Sequence, residues 1–158
     1  MLKKMASDAL GLSDIGKIID KSDFNKVDSD DYIMNEDGES IFFIIKSRSD
    51  EYCFTNLALI HIDGASAMSK KRLVSRYDYY KNPITDVQIE TAGTLDLDCE
   101  IKFTIGGKGF SIDVNKNQIE QLKDLYKSLY RIGCIIEENN LMLQKSEETL
   151  AIAAKACA

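Results

Sequence analysis

Asp96, Asp98 and Glu100 stand at alternate positions in VQIETAGTLDLDCEIKF, residues 87 to 103, with Glu90 just before the T-A-G-T that precedes them. In a β-strand successive side chains point to opposite faces. The three carboxylates therefore share one face, and Leu97, Cys99 and Ile101 share the other. Neighbours two apart lie about 6.5 to 7 Å from each other at a rise of about 3.3 Å per residue. A row of like charge so spaced suits acid–base work, a cation or a docking partner, and it costs free energy if nothing meets it.

Acid–base catalysis is the weakest of these readings. Nothing in the sequence marks one carboxylate as buried beside another, His61 is the single histidine, and no GxSxG, HExxH, Walker or GxGxxG arrangement is present. The GGKG at 106–109 is too short for a phosphate-binding loop. A calcium site fares little better. D-L-D-C-E resembles the start of an EF-hand loop, but Ile101 stands where the sharp-turn glycine belongs and Gly107 where the closing glutamate belongs. The four cysteines, Cys53, Cys99, Cys134 and Cys157, have no CxxC spacing, so no metal and no cofactor are expected.

The second charged constellation is SKKRLVSR, where Lys70, Lys71, Arg72 and Arg76 could meet phosphates or anionic lipid, as could Lys46 and Arg48 near the first hairpin. A solvated turn is the simpler reading. A net charge of −6 argues against nucleic acid as a partner and does not favour a membrane. The basic run is opposite in sign to the acidic strand, so one copy's turn suits another copy's acidic face.

The elements that must hold these residues follow from periodicity. Leu2, Met5, Ala9 and Leu12, continued by Ile15, Ile18 and Ile19, predict an N-terminal helical segment capped near Ser13–Asp14, then an acidic loop to residue 39. From Ser40 the period becomes two. SIFFIIKS, EYCFT, LALIHID, LVSRYDYYK, ITDVQIET, CEIKFTI and GFSIDV read as seven strands, with Ile101, Phe103 and Ile105 facing one way, as do Phe110, Ile112 and Val114. Cys53 and Cys99 read as small buried hydrophobes in this sheet. Asn117 and Glu120 predict a capping box, Ile119 to Ile132 an apolar helical stripe, and Gly133 its stop. Glu137 to about Ala156 predicts a second helix whose sparse apolar residues need something to pack on. The division is 1–39, 40–133 and 134–158, in a mostly β (α+β) chain with a seven-stranded antiparallel barrel capped by a helix. No run of the sequence is apolar enough to span a bilayer, and a cytoplasmic protein with reduced thiols is expected.

ETAGTLDLDCEIK, residues 90 to 102, resembles the signature stretch of the bacterial pleckstrin-homology (PH) domain family, YvbH-like proteins included. Glu90, Thr91, Ala92, Gly93, Thr94, Asp96, Asp98, Glu100, Ile101 and Lys102 meet its pattern, Phe54-Thr55-Asn56 its second hairpin, and Ser69-Lys70-Lys71 its lysine-containing turn. The resemblance runs from about Ser40 to Arg131. It implies a PH-type barrel that is not an enzyme and that assembles into closed rings with a hydrophilic surface for an unidentified protein partner. On that reading Glu90, Thr91, Asp96, Asp98, Glu100 and Lys102 form an oligomer or partner surface. Lipid contact through Lys70, Lys71, Arg72 and Arg76 is the alternative.

Overall fold

The computed structural model describes residues 14–64 and 71–157. Its strands are β1 (Lys17–Ile18), β2 (Ile41–Lys46), β3 (Asp50–Thr55), β4 (Ala58–Asp63), β5 (Leu73–Asp78), β6 (Ile84–Glu90), β7 (Asp98–Ile105) and β8 (Lys108–Asn115), followed by one helix, α1 (Ile119–Ala156). They form two antiparallel sheets, β1-β2-β3-β4-β5 and β6-β7-β8. Seven of these strands fall on the runs that alternation predicts. The eighth, β1, does not, because two residues are too few to show a period.

β1 overturns the expected helix through Ile15, Ile18 and Ile19. Lys17 and Ile18 pair with Lys46 and Ile45, and the Ile19 N–H donates to the Ile44 carbonyl at 3.0 Å. Helical spacing was a local signal, and pairing with a strand some thirty residues away prevailed over it. Leu2, Met5, Ala9 and Leu12 lie outside the described residues. Just before β1, Gly16 bridges to β8: its N–H donates to the Asp113 carbonyl at 2.7 Å and its carbonyl accepts from the Asn115 N–H at 3.0 Å. A Cβ there would lie 2.6 Å from Ile45 Cγ2, so the close approach requires glycine. Gly16 stitches the sheets on one side. On the other, the end strands β5 and β6 do not pair, and the expected closed barrel is instead two sheets with an open seam.

The core lies between the sheets and under α1, where Ile45, Phe54, Leu59, Ile101, Phe103, Ile112, Leu122, Leu125 and Leu129 are buried. A second, smaller cluster of Val27, Ile44, Cys53 and Ile60 occupies the outer face of the five-stranded sheet. It is covered by three 3-10 turns, Lys21–Lys26, Asp28–Tyr32 and Asn35–Asp37, into which the acidic loop folds. This double cover explains why β2 reads as an unbroken apolar run: Ile44 and Ile45 point to opposite faces and both are buried. Cys53 and Cys99 are buried, as expected.

Two helix expectations need correction. The Asn115 carboxamide, not Asn117, does the capping, and it caps the 3-10 turn Lys116–Gln118 that leads into α1, accepting from the Asn117 N–H at 2.9 Å; Gln118, at the N-cap of α1 itself, makes no side-chain cap bond, and Glu120 pairs with Lys123. Gly133 does not stop the helix. α1 runs 38 residues straight through it, and Gly133 is needed because a Cβ would sit 2.9 Å from the Ile84 carbonyl oxygen of β6. The expected second helix is thus the continuation of the first, and every residue from 137 to 157 is exposed.

Candidate functional site: the acidic face of the three-stranded sheet

β7 buries every second residue, Cys99, Ile101, Phe103 and Ile105, and presents Asp98, Glu100, Lys102 and Thr104 outward. The register shows what the sequence could not. Glu90, Glu100 and Asp113 lie directly opposite one another across β6, β7 and β8, so the acidic row runs across the strands as well as along β7. Like charges opposed in this way destabilise a sheet. Lys102 offsets part of that cost, with its Nζ 3.2 Å from both Glu90 Oε2 and Glu100 Oε2. The Ser111 hydroxyl also donates to Glu100.

The carboxyls respond in opposite directions. Burial works to raise Glu100, but Ser111 and Lys102 hold it below the ordinary carboxylate range. Asp113 is pushed up, by burial first and then by Asp98, Glu100 and Asp14. A raised folded-state value means that the native protein gains stability from this group as pH falls and bears the cost of its charge at neutral pH. Asp113→Asn is therefore expected to raise stability at pH 7 by a few tenths of a kcal/mol, the scale of one cross-strand charge pair. The gain should vanish below about pH 4, where both states carry the proton. Urea unfolding at the two pH values checks this, and a loss at pH 7 would mean that Asp113 holds a bond worth more than the repulsion.

Asp96 departs from the strand reading. It sits in the turn before β7, where its carboxylate accepts from the Gly93 N–H at 2.7 Å and its own N–H donates to the Gly93 carbonyl at 3.3 Å. The T-A-G-T segment is thus closed by Asp96, which leaves Glu90 and Thr91 exposed at the end of β6. The face collects Glu90, Asp98, Glu100, Lys102 and Asp113; Asp96 shapes its rim. Sequence reasoning missed Asp113, although F-S-I-D-V alternates as clearly as D-C-E-I-K.

The basic turn is differently placed. Lys70 lies outside the described residues. Arg72 pairs with Asp28, and Arg76 is held between Glu39 (3.0 Å) and Asp78 (2.7 Å). Glu39 is fully buried at its side chain and also accepts from the Thr55 hydroxyl at 2.6 Å and the Met34 N–H at 2.8 Å. Glu51, equally buried, accepts from the Ser29 N–H at 2.7 Å and from the Ser29 hydroxyl, with Lys46 Nζ 3.3 Å away. These two carboxylates fasten the 3-10 segment to the sheet. Their signal in the sequence was faint: Glu51 shares a period-two face with Cys53 and Thr55. Among the described residues, no three His, Cys, Asp or Glu side chains converge to hold a metal, and no helix is long and apolar enough to cross a membrane.

Two antiparallel sheets, packed face to face and closed at one end by a C-terminal helix, define a pleckstrin-homology-like domain. A family model described as the bacterial PH domain matches residues 9–132, and the chain belongs to that family. It is 59% identical over 150 residues to the uncharacterized protein YvbH of Bacillus subtilis (strain 168), covering 95% of this chain and 74% of that one. It is similar to the crystal structure of a PH domain containing bacterial protein from Exiguobacterium sibiricum 255-15. The identity is 51% and the TM-score 0.84, over 92% of this chain and 76% of that chain. A DUF1696 family protein with a pleckstrin-homology domain from Shewanella loihica PV-4 shares the fold. Its TM-score is 0.58 at 23% identity, over 75% of this chain and 97% of that one.

Proposed function

We propose that this chain is a non-enzymatic interaction module that assembles into closed rings and presents the charged face of β6–β8 to its partner. One observation carries the reading. The outer face of the five-stranded sheet is sealed by the 3-10 segment and its own apolar cluster, whereas the outer face of β6–β8 is left to solvent with Glu90, Asp98, Glu100 and Asp113 against a single lysine, Lys102. The unpaired edges of β5 and β6 add a second reason to associate, since open edges offer hydrogen bonds to another strand. A head-to-tail contact between unlike surfaces of identical chains closes into a ring when its rotation divides the circle. A basic surface is the complement, either from another copy or from a second protein. Binding of anionic lipid through Lys70, Lys71, Arg72 and Arg76 is the less supported alternative, because Arg72 and Arg76 are already engaged by Asp28, Glu39 and Asp78.

The test is the mass of the protein in solution, by native mass spectrometry and by light scattering after gel filtration. Wild type should give one closed oligomer of several chains. Asp98→Lys combined with Glu100→Lys should reduce it to smaller species, or abolish partner capture, with unchanged circular dichroism. A wild-type monomer at micromolar concentration ends the ring reading. In that case flotation with anionic vesicles at low salt, where such contacts are strongest, decides whether the basic turn takes over.

A further inference from the structure

Two Asp-Gly pairs stand in the sequence, Asp37–Gly38 and Asp63–Gly64. An aspartate followed by glycine can close on itself, because glycine has no Cβ to shield its nitrogen from the carboxyl group before it. The fold treats the two pairs differently. Asp63 ends β4, where it lies opposite Asp50 of β3 and Leu73 of β5, and Gly64 is buried against the Ser49 carbonyl oxygen, which a Cβ would strike. The Asp63 backbone cannot turn toward its neighbour without breaking the ladder on both sides. Asp37 and Gly38 are both exposed, in the last 3-10 turn of the segment that covers the five-stranded sheet. Gly38 has a left-handed φ of 77°, and nothing stands within 4 Å of where its Cβ would be. What holds this pair is a single turn: the Gly38 N–H donates to the Asn35 carbonyl at 3.1 Å and the Asp37 N–H to the Met34 carbonyl at 3.0 Å. The turn buries no side chain of its own, so its opening uncovers no core.

We propose that Asp37–Gly38 is a site of spontaneous isoaspartate formation, and that the conversion releases the Glu39 latch beside it. When the turn opens, the Gly38 nitrogen attacks Asp37 Cγ. A C–N bond forms, the nitrogen gives up its proton, and a carboxyl oxygen leaves as water, which closes a five-membered succinimide. Water then adds to the Asp37 main-chain carbonyl carbon and breaks its bond to the nitrogen. The chain now runs through Cγ, and the former main-chain carbonyl is a free carboxylate. One water leaves and one enters, so the conversion needs no oxidant and no co-reactant, and the charge is unchanged. The backbone is longer by one carbon atom, at a place that has no slack. The Gly38 carbonyl accepts from the Asn56 carboxamide at 3.2 Å, and the oxygen of that carboxamide accepts from the Ser40 N–H at 2.8 Å. Between these two anchors Glu39 reaches back over the turn to the Met34 N–H at 2.8 Å and inward to Thr55 and Arg76. With the loop lengthened, Glu39 cannot hold Met34 and the sheet together, and the segment lifts from Ile44, Cys53 and Ile60.

The site lies apart from the β6–β8 face, so this proposal and the ring reading fail separately. The test is to hold the native full chain for days at physiological temperature and mildly acidic pH. Its tryptic peptides are then methylated with an isoaspartate methyltransferase and labelled S-adenosylmethionine. The peptide 27–46 should take up label, with fragmentation placing it at Asp37, and the peptide 49–70 should take up none. Chain kept unfolded in urea should label in both peptides, which shows that the fold makes the difference. Glu39→Ala, which frees the Met34 N–H, should convert about fivefold faster, the effect on turn opening of one lost hydrogen bond. Maleimide should reach Cys53, which is 0% exposed in the native fold, in step with the conversion. Asp37→Glu keeps the charge but cannot close a five-membered ring; it should gain no label in 27–46, and its Cys53 should stay silent over the same days. Native chain that labels at Asp63 as fast as at Asp37, or not at all at Asp37, overturns the site. Conversion at Asp37 with Cys53 still silent overturns the release of the latch.

Discussion

Glu39→Ala should lower the free energy of unfolding by about 3 kcal/mol, at the lower end of what removal of one partner from a buried ion pair costs. The Glu39 side chain is fully buried and its two oxygens serve three donors: the Arg76 guanidinium, the Thr55 hydroxyl and the Met34 N–H. Arg76 keeps Asp78, and the Thr55 hydroxyl can turn to the Ala58 carbonyl that it already reaches at 3.1 Å. The uncompensated losses are the Met34 N–H and one arm of Arg76, which is why the expected effect is not larger. Glu39→Gln keeps an acceptor but turns an amide toward Arg76, and should cost about half as much. The pH dependence follows from the direction of the shift. Burial works to raise the carboxyl, but Arg76, Thr55 and the Met34 N–H together hold it below the ordinary range. A depressed folded-state value gives stability that is fully present above the unfolded value, roughly 4.3, and is lost as pH falls through the lower folded one. The gap between wild type and Glu39→Ala should therefore be constant near neutrality and narrow below about pH 4. A second readout locates the damage. Glu39 ends the 3-10 segment that covers Cys53, whose thiol burial pushes up to about 12. If the segment loosens, Cys53 should react with a maleimide faster in the variant well before global unfolding. An equal loss of stability with no change at Cys53 would place the role of Glu39 elsewhere.

Much of this architecture was legible because it rests on local alternation. D-C-E-I-K-F-T-I places its polar residues outward and its apolar residues inward whatever its partner, and β7 does so in the fold. The position of an acid across the sheet is a different kind of fact. That Glu90, Glu100 and Asp113 form one row depends on two hairpins and on the irregularity between Thr85 and Gln88, where Asp86 takes a left-handed φ of 55°. A shift of one residue in either hairpin would have scattered the row. Asp96 was misplaced for a related reason. Alternation continues on paper into the turn, but the Gly93 N–H is the nearer claimant for its carboxylate. β1 and the open seam between β5 and β6 were beyond reach, since both are decided by contacts between distant segments.

Gly133 sets two effects of opposite sign against each other, and the outcome reports whether α1 is seated on β6. In an exposed helix interior, glycine to alanine stabilises by about 1 kcal/mol, because glycine has more backbone freedom to lose. Here the added Cβ would stand 2.9 Å from the Ile84 carbonyl oxygen, inside the contact distance of carbon and oxygen. That oxygen belongs to the backbone of a strand whose Ile84 is itself in the core, so no rotamer change relieves the clash; helix and sheet must part along the interface that buries Leu122, Leu125 and Leu129. Overpacking of this kind costs about 1–3 kcal/mol, so the clash outweighs the propensity gain. Gly133→Ala should come out net destabilising by up to about 1 kcal/mol, and Gly133→Val, with two more methyls and poorer helix propensity, by about 3 kcal/mol. Thermal or urea unfolding of the three proteins decides it. A rise in stability for Gly133→Ala would mean that the glycine faces open space, as an ordinary helix stop does, and would lift α1 off the sheet. A loss graded by side-chain size would show instead that Gly133 is there so that two backbones can touch. The helix then passes over β6 without a break and carries its exposed residues 137–157 on past the sheets.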